Sequence, residues 1–399
     1  MGPWVLLVVG HGRLALLATP PTKLATHLRW TNNSNKPLAT WDALRKGINP
    51  TKEDQQSTTK NLSPALSQQL AQIAKPFPAA ALTQITPSRD GTIKMLLTLA
   101  DGLAVEAVII PISGKHSSLC VSSQVGCARG CVFCSTATMG RLRNLDADEI
   151  LTQVWTALRI VREMNLPQLV NVGTTFLSQV ELCSNSITCV HSLIHHMYSS
   201  VFMGMGEPLD NLDNVLTAVD QLVHPDAFAF SRRNVCVSTV GTSPSAIDRA
   251  AALPCKLAWS VHAADDALRK SLVPTSRYPI RELRDAFRRT LARKPGGEKT
   301  RKLLIEIALL RDLNDRPQHA DQLAAMLHPF SRGDVLVNLI PYNENGLELE
   351  GTPLQTSSMD SVHRFQRRLW DHGILCTVRA TRGDKASAAC GQLLTGPKW

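Results

Sequence analysis

The sequence predicts an α/β fold: a partial, six-stranded (β/α) barrel with a small amino-terminal helical lead-in and a β-hairpin extension. Three observations lead there. From Leu119 to Cys376, short β-rich runs alternate with helical patterns, which implies a parallel sheet with helices outside it. Ahead of that alternation, the strand-like runs Thr92 to Leu99 and Leu103 to Ile110 are joined by Ala100-Asp-Gly102, a hairpin signal. Between hairpin and first helix, a glycine-bounded loop holds three thiols after the first strand of the alternation, where barrel folds keep active-site loops.

A chain of 399 residues can bury a full core and fits one large domain with a smaller appendage. Its ten cysteines follow no secreted disulfide spacing, so a reducing compartment is expected, cytoplasmic or organellar (chloroplast or mitochondrion). No apolar run reaches the roughly 18 residues of a membrane span. A net charge of +10 favours a polyanionic partner such as RNA, although charge alone is a weak signal. Residues 1–37 carry Arg13, Lys23, Arg29 and Lys36 and no acid, which reads as an organellar transit peptide or a disordered terminus. The apolar stretch Trp4 to Val9 is short for a secretory signal.

In order, residues 38–88 read as the helical lead-in, with Leu66, Leu70 and Ile73 on one side of a helix from Leu62 to Ile73. Residues 89–112 form the hairpin. Glu106 stands there among Val105, Ala107, Val108 and Ile109, either on a solvated face or aimed into a site. Residues 113–394 make the barrel. Its strands are expected at Leu119 to Ser122, Val201 to Met205, Asn234 to Thr239, Lys256 to Val261, Leu303 to Leu310 and Val335 to Ile340. Its helices are expected at Asp146 to Met164, Asn211 to Val223, Ile280 to Arg293, Pro317 to Leu327 and Met359 to Trp370. Asp146, Asp148 and Glu149 suit the start of the first helix. Gly173 to Ser200 interrupts the second strand, and removing it joins Leu169-Val-Asn-Val172 to Val201-Phe-Met-Gly204. It reads as a retained intron or gene-model error, or else as a surface insertion. Residues 395–399 are a tail.

Cys127, Cys131 and Cys134, spaced C-x3-C-x2-C, can converge as thiolates on one centre. A [4Fe–4S] cluster usually takes four cysteines, so three leave one iron open for S-adenosylmethionine (SAM) to chelate. Structural zinc prefers four protein ligands in paired spacings, and inert buried cysteines are the remaining alternative. In Met203-Gly-Met-Gly206-Glu207-Pro208 the glycines let backbone approach a ligand, and Glu207 can accept from an ammonium. Ser238, Ser260, His262 and Asn343 sit where barrel strands finish; each alone suits a strand-end cap, and together they suit one small polar ligand. Cys120 and Cys390 are either inert buried thiols or a reactive pair; Cys236, Cys255 and Cys376 read as core. Arg277, Arg281, Arg284, Arg288, Arg289, Arg293 and Lys294 form either a solvated helix face or an RNA contact. Arg141, Arg143 and Arg382 flank the chemistry and are the better RNA candidates.

The stretches Cys120-Val-Ser-Ser-Gln-Val-Gly-Cys127, Cys131-Val-Phe-Cys134, Gly204-Met-Gly-Glu-Pro208, Ser260-Val-His262, Asn338-Leu-Ile-Pro-Tyr-Asn343 and Ala389-Cys390-Gly-Gln-Leu393 resemble the RlmN/Cfr family. These are dual-specificity radical SAM methyltransferases acting on adenine in RNA. The resemblance runs from about Asp90 to Leu394; Lys385-Ala-Ser387 departs from a more acidic segment usual there. It implies a radical SAM barrel in which Cys127, Cys131 and Cys134 ligate a [4Fe–4S] cluster. SAM is held by Gly206, Glu207, Ser238, Ser260, Val261, His262 and Asn343. It also implies a route. One SAM methylates Cys390, a radical from a second activates that methyl for addition to carbon 2 of adenine, Glu106 removes the ring proton, and Cys120 releases product through a transient disulfide with Cys390. Carbon 2 is not nucleophilic, so a radical route is needed. The implied substrates are 23S-type rRNA and tRNA, the electron donor is a flavodoxin or ferredoxin, and the protein is a monomer. Methylation at carbon 8, or an inactive RNA-binding relative, remain the competing expectations.

Overall fold

A computed structural model of the chain describes residues 14–27, 36–51, 63–113, 116–166, 168–172, 204–295, 297, 300–331, 333–379, 383 and 387–395. The expected insertion, the join at Val201, and Arg382 lie outside these residues.

The chain opens with α1 (Pro21–His27), α2 (Lys36–Arg45) and α3 (Pro64–Ile73). Ser63 caps α3, accepting from Leu66 N at 3.2 Å, with proline at the first helical position. Residues 14–27, expected to belong to a leader or disordered terminus, instead pack against the body. Leu16, Leu17 and Leu24 are buried in the main core, and Leu17 N–H donates to Asp148 Oδ1 at 2.9 Å. The leucines bury enough apolar surface to order the segment. Burial pushes Asp148 up to about 6, against the backbone donors it accepts.

The hairpin is larger than the sequence suggested. β1 (Ala80–Pro87) pairs antiparallel with β2 (Ile93–Leu99), which pairs with β3 (Ala104–Ser113), which pairs with β4 (His116–Cys120). Part of the expected helical lead-in is therefore strand. Its alternation is blurred because β1 is an edge, mostly exposed, with a register shift between Leu82 and Gln84. β7 (Gln168–Val172) then adds parallel to β4. Between them lie β5 (Gln124–Gly126), α4 (Ser135–Thr138), β6 (Arg141–Asn144) and α5 (Ala147–Glu163). A capping box starts α5: Asp146 accepts from Glu149 N at 2.8 Å, and Glu149 accepts from Asp146 N at 2.9 Å.

The rest of the partial barrel follows as α6 (Leu212–Val223), β8 (Cys236–Thr239), α7 (Pro244–Arg249), β9 (Lys256–Ser260), α8 (Asp266–Leu272), α9 (Ile280–Arg293), β10 (Leu303–Leu309), α10 (Pro317–Leu327) and β11 (Val335–Pro341). A two-stranded ribbon, β12 (Glu348–Leu349) and β13 (Thr352–Pro353), precedes α11 (Met359–Asp371) and β14 (Cys376–Val378). The sheet order is β14-β11-β10-β9-β8, all parallel. β14 holds Cys376, which is buried in the core as expected.

Period-two alternation sorts one sheet face into layers. Cys236, Ala258, Leu304 and Leu336 form an apolar cluster. Two residues further along each strand stand Ser238, Ser260, Glu306 and Asn338, with Glu306 registered on both Ser260 and Asn338. This polar layer positions the site.

Candidate active site

The cleft above that layer, about 950 Å³ of empty space including its mouth, is lined by Cys127, Cys131, Cys134, Gly206, Glu207, Ser238, Ser260, His262, Glu306, Asn343 and Cys390. Every sequence-predicted site residue lies on its wall except Val261, Glu106 and Cys120. Val261 belongs to the main core, its N–H donating to Glu306 O at 3.0 Å.

Local geometry explains the thiol loop. Gly126 has φ +74°, and a Cβ there would meet Gly140 O at 1.9 Å, so only glycine lets the two backbones close; Cys127 N then donates to that same oxygen at 2.8 Å. Cys134 precedes α4, whose Thr136 and Ala137 N–H groups favour its thiolate. Burial pushes the Cys127 thiol up to about 12 and Cys131 well above its ordinary value, and the neighbouring thiols raise both further. Three such thiols ionise together only beside a positive centre. Among the described residues no three metal-binding side chains are gathered closely enough to share a single ion. Three thiolates from one loop suit a [4Fe–4S] group with one iron left open, whereas structural zinc takes four protein ligands.

The Gly204-to-Pro208 loop is wedged against the segment between β4 and β5. A Cβ on Gly204 would meet Val121 C at 2.5 Å, and one on Gly206, at φ +105°, would meet Gln124 Cβ at 2.6 Å. Glu207 is buried; Oε1 accepts from Leu209 N at 2.9 Å and Oε2 from Val240 N at 3.0 Å. Burial pushes it up to about 7. The Thr239 side chain also hydrogen-bonds this carboxylate, which still keeps acceptor capacity for one further donor. Ser238 and Ser260 hydroxyls lie 3.2 Å apart. His262, held at φ +61°, accepts at Nδ1 from Ala308 N at 3.2 Å and packs edge-on against Phe133, ring centroids 4.6 Å apart. Burial pushes His262 down to about 3, so the ring is neutral.

The tail that carries Cys390 runs along the thiol loop. Ser135 N donates to Gly391 O at 2.7 Å, the Thr136 hydroxyl to Leu393 O at 2.7 Å, and Asn343 Nδ2 to Cys390 O at 3.0 Å. Burial pushes the Cys390 thiol up to about 11, against the pull of the Arg379 guanidinium. Cys120 and Cys390 are not joined in a disulfide. Cys120 is buried at the end of β4, and Glu106 is buried in β3, ion-paired to Lys94 at 2.9 Å, so its face is not solvated.

Sequence reasoning missed Glu306. Glu306 is fully buried on the cleft floor and pushed up to about 7 by that burial. The signal was present: a lone carboxylate inside Leu303 to Leu309, the same anomaly that drew attention to Glu106. Arg143 is tied to Asp101 at 2.5 Å and Glu149 at 2.8 Å, while Arg141 is exposed. On α9, Arg284 pairs with Asp285, and Arg289 and Arg293 pair with Asp248, the pattern of a solvated helix face.

Fold, thiol loop and cleft together define a radical SAM methyltransferase. The chain is 31% identical to a radical SAM methyltransferase from Sphaerobacter thermophilus, whose crystal structure superposes with a TM-score of 0.76 over 96% of this chain and 99% of that one. It is 40% identical over 336 residues to a probable dual-specificity RNA methyltransferase RlmN of Chloroflexus aurantiacus, covering 82% of this chain and 80% of the relative. It is 38% identical to the RlmN of Marinobacter nauticus, covering 84% and 80%. No family model matches the chain. The chain belongs to the RlmN family of dual-specificity RNA methyltransferases.

Proposed function

We infer that this protein methylates carbon 2 of adenine in RNA, 23S-type rRNA and tRNA, through a methyl group carried on Cys390. The observation that supports the reading best is that Cys390 shares one cleft with Cys127, Cys131, Cys134 and Glu207, although it lies far from all of them in sequence. When bound at the three thiols, a [4Fe–4S] cluster supplies the electron that cleaves SAM, and SAM supplies both methyl and radical.

The chain's own residues do the rest. Glu207, its two oxygens already fixed by backbone donors, offers its remaining lone pairs to the SAM ammonium without reorganising. Ser238 and Ser260 face the same space as donors for SAM's polar groups, and neutral His262 adds no charge to a cationic cofactor. Asn343 holds the Cys390 backbone, so the thiol meets a methyl donor in the cleft. Glu106 receives the ring proton, and Cys120 exchanges with Cys390 to release product. The target adenine leaves its stack to enter, at a cost of roughly a few kcal/mol that is least in loops. A flavodoxin or ferredoxin delivers the electron, the enzyme works as a monomer, and its compartment is cytoplasmic or organellar. Among the described residues no helix is long and apolar enough to cross a membrane.

The test is anaerobic reconstitution with iron and sulfide, incubation with SAM, a reductant and rRNA or tRNA, then nucleoside mass spectrometry. The expected product is 2-methyladenosine, with one methyl on Cys390 before RNA is added. Exclusive 8-methyladenosine, or RNA binding with neither methyl, overturns the assignment.

A further inference from the structure

The tail bearing Cys390 is fastened at the thiol loop, and also by an ion pair outside the cleft. Lys94 on β2 and Glu106 on β3 meet at 2.9 Å, their side chains only 16% and 5% exposed. The same lysine donates to Ser387 O at 3.3 Å, three residues before Cys390. The other oxygen of Glu106 accepts from Leu394 N at 2.9 Å, four residues after it. One buried pair therefore grips the tail on both sides of the reactive sulfur. Asp90, in the turn between β1 and β2 of the antiparallel meander β1–β4, adds a third hold by accepting from Gly383 N at 2.8 Å.

Joining β2 to β3 does not require this pair, since the strands already share a ladder from Ile93 to Thr98. A buried ion pair used only for packing is commonly no better than apolar residues of the same size. What charge adds here is reach: an ammonium has three donors and a carboxylate two oxygens, enough to hold each other and two points of a third segment. We propose that Lys94 is a positioning residue which, with Glu106, clasps the tail around Cys390 and sets where that sulfur lies in the cleft. This rests on the reading of Cys390 as methyl carrier. Where Glu106 receives the ring proton, the clasp loses one of its charges, and the tail is freed for exchange with Cys120.

The test is amide hydrogen exchange on full-length, cluster-reconstituted protein, following the peptide over residues 387–395 with the β10 peptide as internal control, alongside the methylated fraction of Cys390. Lys94→Met should speed tail exchange roughly ten-fold or more while β10 stays protected. Methylation of Cys390 should fall with it, and Lys94→Arg should restore both. Glu106→Gln, a neutral isostere, should loosen the tail too, and it carries the test if Lys94→Met also exposes β10. Parent-like tail exchange in Lys94→Met with β10 protected, or in Glu106→Gln where Lys94→Met exposes β10, overturns the clasp. If the tail loosens as expected but Cys390 is never methylated even in the parent, the clasp stands and the methyl-carrier reading falls.

Discussion

Two sheets meet at the cleft, and each buries one glutamate inside an otherwise apolar strand. Glu106, in β3 of the meander, has an ammonium at 2.9 Å and a tail N–H at 2.9 Å. Glu306, in β10 of the barrel, meets the Ser238 hydroxyl and the Asn338 amide, each at a long 3.5 Å, with the Arg379 charge nearby. Burial outweighs those partners and pushes Glu306 up to about 7. Similar sequence contexts thus give one carboxylate held in a charge pair and another poised near neutral pH. The meander side grips the segment that must move, whereas the barrel side offers a fixed polar floor.

If that division holds, chemistry and binding separate by side. Cys390→Ala should abolish methyl transfer completely while SAM binding, measured by equilibrium dialysis on reconstituted protein, stays at the parent level. Loss of SAM binding as well would break the division, because the tail would then be part of the binding wall. Cys120→Ala should leave Cys390 methylation intact and trap enzyme covalently on RNA. Free methylated RNA from that variant would remove Cys120 from the release step.

The barrel side predicts a pH effect on stability. The folded protein raises Glu306 from an ordinary value of 4.5 to about 7, so it binds a proton more tightly folded than unfolded. That contribution is fully present below the unfolded value and is lost as pH rises through about 7. At pH 8 the buried charge costs up to roughly 3 kcal/mol, at about 1.36 kcal/mol per unit. Glu306→Gln should therefore gain stability over the parent between pH 5 and pH 8 in urea unfolding, by an amount on the order of 1–3 kcal/mol. A pH-independent difference would mean that Arg379 keeps Glu306 ionised throughout. Glu207 is also pushed up to about 7, but both its oxygens hold backbone N–H groups, so an amide there would break the loop.

What was legible in the sequence follows from which signals are local. Amphipathic helices such as α9 and α10 fall where their apolar period places them, because that signal is carried within a few residues. The thiol loop and the Gly-Glu-Pro loop were legible because their glycines are dictated by backbone approaches that no side chain survives. β1 and residues 14–27 were not. The edge strand lacks two-sided burial, and the amino-terminal leucines order only by meeting Asp148 from a segment more than a hundred residues away. Glu106 and Glu306 were equally visible as anomalies, yet the ion pair of one and the neutral floor of the other depend on strand neighbours that only topology supplies.

The smallest expected effect tests the basic surface. Arg143 was the natural RNA contact by position, yet its guanidinium joins Asp101 in the hairpin turn to Glu149 in the first turn of α5. Hydrogen bonding to Glu149, together with the Asp101 pair, holds it in its charged form. With the arginine side chain 31% exposed, the pair is partly screened, and Arg143→Met should cost about 1 kcal/mol or less, a difference that shrinks as salt is added. Because the charge is already spent inside the molecule, RNA affinity should be unchanged, and so should its dependence on salt. A weaker affinity accompanied by a shallower salt slope would show that Arg143 releases its carboxylates to meet phosphate. The hairpin turn would then be part of the RNA-binding face, and not merely a brace between meander and barrel.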